Sequence, residues 1–173
     1  PLGLTQTAFH PDDEIVPGSV VGYSQNERGE PILPPYVSAT GPGAAGALSS
    51  TVDDVFHFLH ALTTGRALPP MLYEAMSSAK TTSTGKPTAY GYGLMLGTVR
   101  GEPVVEHNGG VEGFASQMTY FPKQHVTVIV LANTDAGAPS PRSLAHRLGA
   151  VAIGKPYPAL VPIKAEPRLT QEL

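Results

Sequence analysis

Apolar residues change their period along this chain. Between 50 and 65 they recur every three to four positions, and Val52, Val55, Phe56, Leu59 and Leu62 fall on one helical face. Ser50 or Thr51 starts this helix: Ser50 with Asp53 three residues on has the form of a capping box, and Asp53-Asp54 put negative charge where the helix dipole favours it. Thr63-Thr64-Gly65 ends it, with Gly65 as the left-handed cap. A shorter helix is expected over 70–79, with proline at its start. From residue 90 strand-like segments follow one another: 90–99, 103–108, 114–121 and 125–133, with Arg100-Gly101-Glu102 and Pro122-Lys123-Gln124 as short turns. The last segment, HVTVIVLAN, is almost continuously apolar and is expected at the centre of the sheet, buried on both faces. Residues 139–153 read as a closing helix, and 19–33 as an early hairpin turning at NERG. The pattern gives an α+β fold, one antiparallel sheet flanked by helices before and after it. It spans residues 1–153 as one domain; 154–173, with prolines at 156, 158, 162 and 167, are expected to form an extended, poorly packed tail.

Composition narrows the function classes. At 173 residues the chain is long enough for one domain with a core, and 41% hydrophobic with 14% charged residues is globular composition. A net charge of −3 offers no electrostatic footprint for nucleic acid. There are no cysteines, which excludes disulfides, thiolate catalysis and zinc–sulfur sites. No apolar run reaches the roughly 20 residues that span a bilayer. The sequence leaves localisation open. It opens PLGLTQTAF, without an initiator methionine, as part of a longer protein would.

Four places could carry chemistry. His57 and His60 lie roughly 300° apart on a helix, but no third ligand is near them in sequence, so no metal is assigned. Ser77-Ser78-Ala79-Lys80 fits S-x-x-K, which would put a lysine amine beside a serine hydroxyl. Its place at the end of a helix argues against it, since a nucleophile gains from a helix N-terminus. Tyr23-Ser24-Gln25-Asn26 has a tyrosine and an asparagine near each other, yet reads better as a strand entering a turn. Asp12, Asp13 and Glu14 read as a solvent-facing charge run. The sharpest signal is His107-Asn108-Gly109-Gly110. Two adjacent glycines weaken a strand, and their presence makes sense if something approaches the backbone closely. Bare N–H groups on a strand edge can bind an oxyanion, and histidine can carry a proton near neutral pH. From the residues alone, a plain hairpin with a polar turn remains open beside this reading.

The chain resembles the C-terminal half of the penicillin-recognising serine hydrolases, which include class C β-lactamases, DD-peptidases and related esterases and D-aminopeptidases. PLGLTQTAF, GAAGALSSTVDDVFHFLHAL, YGYGLMLG, the strand with HNGG, VEGF and HVTVIVLANTD come in the family's order and cover about residues 1 to 153. The resemblance implies that His107-Asn108-Gly109 stands at the family's third motif, Lys-Thr-Gly or His-x-Gly. Gly110 would then supply a backbone N–H of the oxyanion hole, His107 would join the proton-transfer network, and Asn108 and Gly109 would line the substrate strand. No cofactor is implied.

In that family S-x-x-K and Y-x-N precede this motif. Ser77–Lys80 comes after the segment that should follow both, and Tyr23–Asn26 has one residue too many. The N-terminal nucleophile half is therefore expected in a second chain or in a missing N-terminal segment, and this chain alone should be inactive. Histidine in place of lysine favours a small-molecule or peptide acyl substrate cut by an esterase, amidase or peptidase. A β-lactamase or D-Ala-D-Ala carboxypeptidase is the alternative within the family, and a non-catalytic binding or scaffold protein is the alternative outside it.

Overall fold

The structure, a computed structural model, describes residues 2–36, 38 and 41–159. Its centre is an antiparallel sheet in the order β5 (Met95–Val99), β6 (Glu102–Val111), β7 (Phe114–Phe121) and β8 (Val126–Ala132). The β5–β6 turn holds Arg100 at φ 53° and Gly101 at φ 80°, the two positive values that a twist-matched two-residue hairpin requires. β6 runs three residues further than expected, so His107-Asn108-Gly109-Gly110 is strand, and the turn is Glu112-Gly113. Residues 90–94 lie outside β5, with only a single bridge from Tyr90 to Met95.

Helix α1 (Val52–Thr63) starts at Thr51, whose hydroxyl oxygen accepts from the Asp54 N–H at 3.3 Å. Ser50 instead shares a hydrogen bond with the Thr7 hydroxyl. Leu59, Ala61 and Leu62 are buried, whereas Val52 and Phe56 on the same apolar stripe remain open. Helix α2 (Pro70–Met76) is shorter than its sequence pattern. The Met76 carbonyl accepts from the Tyr92 N–H at 3.0 Å, and a continuing helix would need that carbonyl for Lys80.

Helix α3 (Pro141–Ala152) is capped by Ser140, whose hydroxyl oxygen accepts from the Ser143 N–H. It lies against β7 and β8 through Gly149, where an added Cβ would come 2.4 Å from the Phe121 ring. Val99, Val104, Phe121 and Ala150 form the core there, with Val126, Val128 and Ile153 packed around them.

One expectation is corrected here. β8 lies at the edge of the four-stranded sheet and is half-buried, not central. Its continuous apolar sequence reflects contact with both α1 and α3, which pattern alone cannot distinguish from a central position. Residues 154–159, at the start of the tail, are exposed and are held by a few contacts: Lys155 donates from its backbone to the Ala150 carbonyl and from its ammonium to Glu102, while Arg100 and Arg147 both lie over the Tyr157 ring. The rest of the tail, 160–173, falls outside the described residues.

The early hairpin contracts to β2 (Ser24–Gln25) with β3 (Pro31–Ile32), and Asn26 Oδ1 ties its turn by accepting from the Arg28 and Glu30 N–H groups. A second short ladder, β1 (Ala8–Phe9) with β4 (Leu48–Ser49), was not legible in the pattern. Buried Asp54 anchors this N-terminal stretch, accepting from the Gln6 N–H at 2.7 Å and the Thr7 hydroxyl at 2.8 Å. Burial opposes its charge, and those donors more than offset the burial, so its carboxyl lies below the usual value.

Candidate functional site on strand β6

The phase of β6 follows from its two hairpins. Val99 faces Glu102 across one two-residue turn, and Val111 faces Phe114 across the other. Residues opposed across an antiparallel ladder alternate between bonded and non-bonded pairs. Counting from either turn gives one answer: Glu102, Val104, Glu106, Asn108 and Gly110 aim their backbone groups toward β5, and the intervening residues aim theirs toward β7. Pro103 falls in the second set, beyond the last β6–β7 pair at Val105 and Tyr120, where its missing N–H costs nothing.

β5, however, stops early. Its last paired residue is Met95, opposite Glu106. Among the described residues, then, no strand covers Asn108 and Gly110, and their N–H groups lie on a bare edge. Neither Gly109 nor Gly110 has a positive φ. At Gly110 an added Cβ would meet only the Phe114 carbonyl, at 3.9 Å, and at Gly109 it would meet the movable Ser116 hydroxyl. Nothing within the described residues forbids a side chain at Gly110, so packing of this chain does not explain the glycine.

Side chains divide between the two faces of β6. On one, His107 shares a 2.9 Å hydrogen bond between Nε2 and the Tyr90 hydroxyl, and its Nδ1 lies 2.7 Å from the Asn108 carbonyl. The two rings meet edge-on with centroids 6.0 Å apart. On the other face Glu106, 1% exposed, accepts from four side chains: Gln117 at 3.0 Å, Thr119 at 3.2 Å, Arg142 at 2.6 Å and His146 at 2.7 Å. Burial works to raise the Glu106 pKa, but His146 and Arg142 prevail and hold it below the ordinary glutamate value.

The turn after the motif is clamped by Asp135, just beyond β8, and by Tyr23 near the N-terminus. Asp135 accepts from the Gly113 N–H at 2.7 Å and the Ser24 hydroxyl at 2.6 Å, and Tyr23 donates its N–H to the Gly113 and Asn133 carbonyls. The Gly113 N–H and the Ser24 hydroxyl hold the Asp135 carboxyl below its usual value against burial. Gly113, at φ 82°, leaves no room for a side chain: a Cβ would sit 2.8 Å from Pro34 and 3.1 Å from Gly22.

The structure therefore gathers His107, Asn108, Gly109 and Gly110 on one strand edge. Ser77 and Lys80 do not form a pair. The Ser77 hydroxyl donates to the Tyr73 carbonyl at 2.9 Å, and the Lys80 ammonium lies over the Tyr92 ring, 4.6 Å from its centroid. His60 stacks on Phe56, and no group of three or more possible metal ligands occurs among the described residues. No described helix is long and apolar enough to cross a membrane. Tyr90, Asp135 and Glu106 were missed by sequence reasoning. Only Tyr90 left a trace, in the glycine that follows it.

A D-aminopeptidase of Gluconobacter oxydans (strain 621H) is 27% identical over 158 residues, which cover 91% of this chain and 29% of the relative. Among solved structures, the octameric penicillin-binding protein homologue from Pyrococcus abyssi matches with a TM-score of 0.73 and 25% identity, over 90% of this chain and 35% of that one. A D-stereospecific amidohydrolase from Streptomyces sp. matches with a TM-score of 0.69 and 26% identity, over 89% and 45%. The chain thus spans less than a third of that aminopeptidase and less than half of either solved chain. Residues 1–153 match the family model described as Beta-lactamase, and with the order of elements and the matching folds this establishes that the chain belongs to that family, the penicillin-recognising serine hydrolases, as a C-terminal part of its fold.

Proposed function

We propose that this chain supplies the substrate strand of a serine acyl hydrolase that works through an acyl-enzyme. A serine and a lysine in S-x-x-K, with a Y-x-N segment, come from a companion chain or from sequence N-terminal to this one. The serine oxygen attacks the scissile carbonyl while its proton passes to the neighbouring base. The Gly110 N–H donates to the oxyanion that forms, and His107 carries a proton within the network. Asn108 and Gly109 line the edge along which the substrate lies. The leaving group takes up a proton as it departs, and water then releases the acyl group and restores the serine. No metal or organic cofactor enters this scheme.

The observation that carries the reading is the bare stretch of β6 beyond Met95, where the Asn108 and Gly110 N–H groups lie on an uncovered edge beside His107. The names of the relatives, a D-aminopeptidase and a D-stereospecific amidohydrolase, favour an amide or peptide with a D-residue on the acyl side over an ester or a β-lactam. The test is denaturing intact-mass analysis of the purified protein after incubation with a serine-acylating fluorophosphonate. The expected adduct lies on a serine outside these 173 residues; an adduct at Ser77 overturns the assignment.

A further inference from the structure

Tyr90 is open to solvent, yet its backbone is held on every side. The Thr88 hydroxyl donates to its carbonyl at 3.0 Å, the Leu96 N–H bonds the preceding carbonyl of Ala89 at 2.8 Å, and the Gly91 N–H bonds the Leu94 carbonyl at 2.8 Å. Gly91 itself is wedged against the end of α2, where an added Cβ would fall 1.8 Å from the Met76 carbonyl oxygen. Gly93, at φ 71°, completes the bend. An exposed phenol on a backbone fixed this firmly is aimed, and its hydroxyl meets His107 Nε2 at 2.9 Å.

The other ring nitrogen settles how that hydrogen bond runs. Nδ1 lies 2.7 Å from the Asn108 carbonyl, which can only accept. The hydrogen of a neutral His107 ring therefore sits on Nδ1, and Nε2 presents a lone pair to the Tyr90 O–H. When the ring takes up a proton it can do so only at Nε2, and the Tyr90 oxygen then accepts where it had donated. The hydroxyl has both capacities, so the pair is satisfied in either protonation state.

We propose that Tyr90 is a positioning residue for His107: with the tautomer set by the Asn108 carbonyl, its hydroxyl holds the ring by Nε2 and relays the proton that the ring exchanges there. This rests on the reading of His107 as a proton carrier in the acyl-transfer site. A proton delivered through the phenol arrives on its oxygen as the original phenolic hydrogen passes to Nε2, so tyrosine is unchanged and histidine gains one proton. The Asn108 carbonyl that orients the ring belongs to the bare edge, so ring and substrate strand are set by one piece of backbone.

The test is Tyr90→Phe in the intact protein that contains this chain, with histidine ring nitrogens labelled for long-range nitrogen–proton NMR. The His107 ring is expected as the Nδ1–H tautomer in both proteins, with the Nε2 resonance of the variant shifted by loss of the Tyr90 hydrogen bond. In turnover of a D-amino-acid amide, kcat is expected to fall about tenfold with KM within about twofold. A neutral wild-type ring protonated at Nε2, or a variant whose Nε2 resonance and kcat are both unchanged, overturns the proposal. His107→Ala separates the two readings: if turnover survives it, the proposed function falls, while the Nε2 resonance of Tyr90→Phe still decides whether Tyr90 holds the ring. Unchanged thermal unfolding of Tyr90→Phe shows that any loss is not a folding defect.

Discussion

On one face of β6 Glu106 is sealed beneath α3 with four side-chain donors, and on the other His107 has one side-chain partner, the exposed Tyr90. The residues are neighbours in sequence, yet they meet different demands. The Glu106 face fixes where the strand lies, because a buried carboxylate must keep its donors and those come from β7 and α3. The His107 face is thinly covered, and the backbone beside it is bare along Asn108 and Gly110. One strand thus holds its position from behind and leaves its front uncovered.

The division can be broken by substitution. The largest expected effect is His107→Ala, which should lower turnover of the complete enzyme by roughly 100- to 10,000-fold, the usual worth of a proton-transfer group, while chemical denaturation shifts by less than about 0.5 kcal/mol. Glu106→Ala should behave in the reverse order of cause. It leaves buried donors without an acceptor and should cost about 2–4 kcal/mol in denaturant unfolding, with activity lost only as far as folding is lost. If the two variants destabilise equally, the contrast between the faces is wrong.

A glycine pair sharpens the same contrast. Gly149→Ala drives a methyl into the Phe121 ring and should cost about 1–3 kcal/mol. Gly110→Ala meets nothing closer than 3.9 Å and should leave stability within about 0.5 kcal/mol. Its expected consequence is reduced turnover, because the methyl occupies the edge that a substrate would approach. Full activity in Gly110→Ala would mean that the glycine has no role there.

The smallest effect is expected from acid. Lys155 first, then Gln124 and Lys123, hold the Glu102 carboxyl at about 2 against an ordinary value of 4.5. Because the folded value is the lower one, this contribution is complete above the ordinary value and is lost as pH falls toward 2. Glu102→Gln should therefore flatten the dependence of stability on pH between about 4.5 and 2 and change little at neutral pH. An unaltered acid-unfolding curve would show that water and salt already screen this group.

Several elements were legible in sequence because their cause is local. The α1 period, its Thr51 start and Gly65 end, and the Arg100-Gly101 turn all follow from side-chain spacing and from residues that tolerate positive φ. The motif strand was legible because adjacent glycines inside a β pattern require a reason. The length of α2 was not legible, since Tyr92, in the segment before β5, takes the carbonyl that would have continued it. The position of β8 was hidden for the same kind of reason: an apolar run records that both faces are covered, not which strand lies alongside.

What the sequence determined by itself was the alternation that makes four antiparallel strands and the presence of His107-Asn108-Gly109-Gly110 on one of them. Short-range rules suffice for that, because periodicity and turn chemistry act over a few residues. Only the tertiary structure decided that β5 ends opposite Glu106, that Tyr90 faces His107, and that Glu106 is clasped by α3. Those relations join residues 11 to 40 positions apart, from Glu106 to Met95 and to His146. No local preference encodes them; they arise when the sheet and helices pack and buried polar groups must find partners.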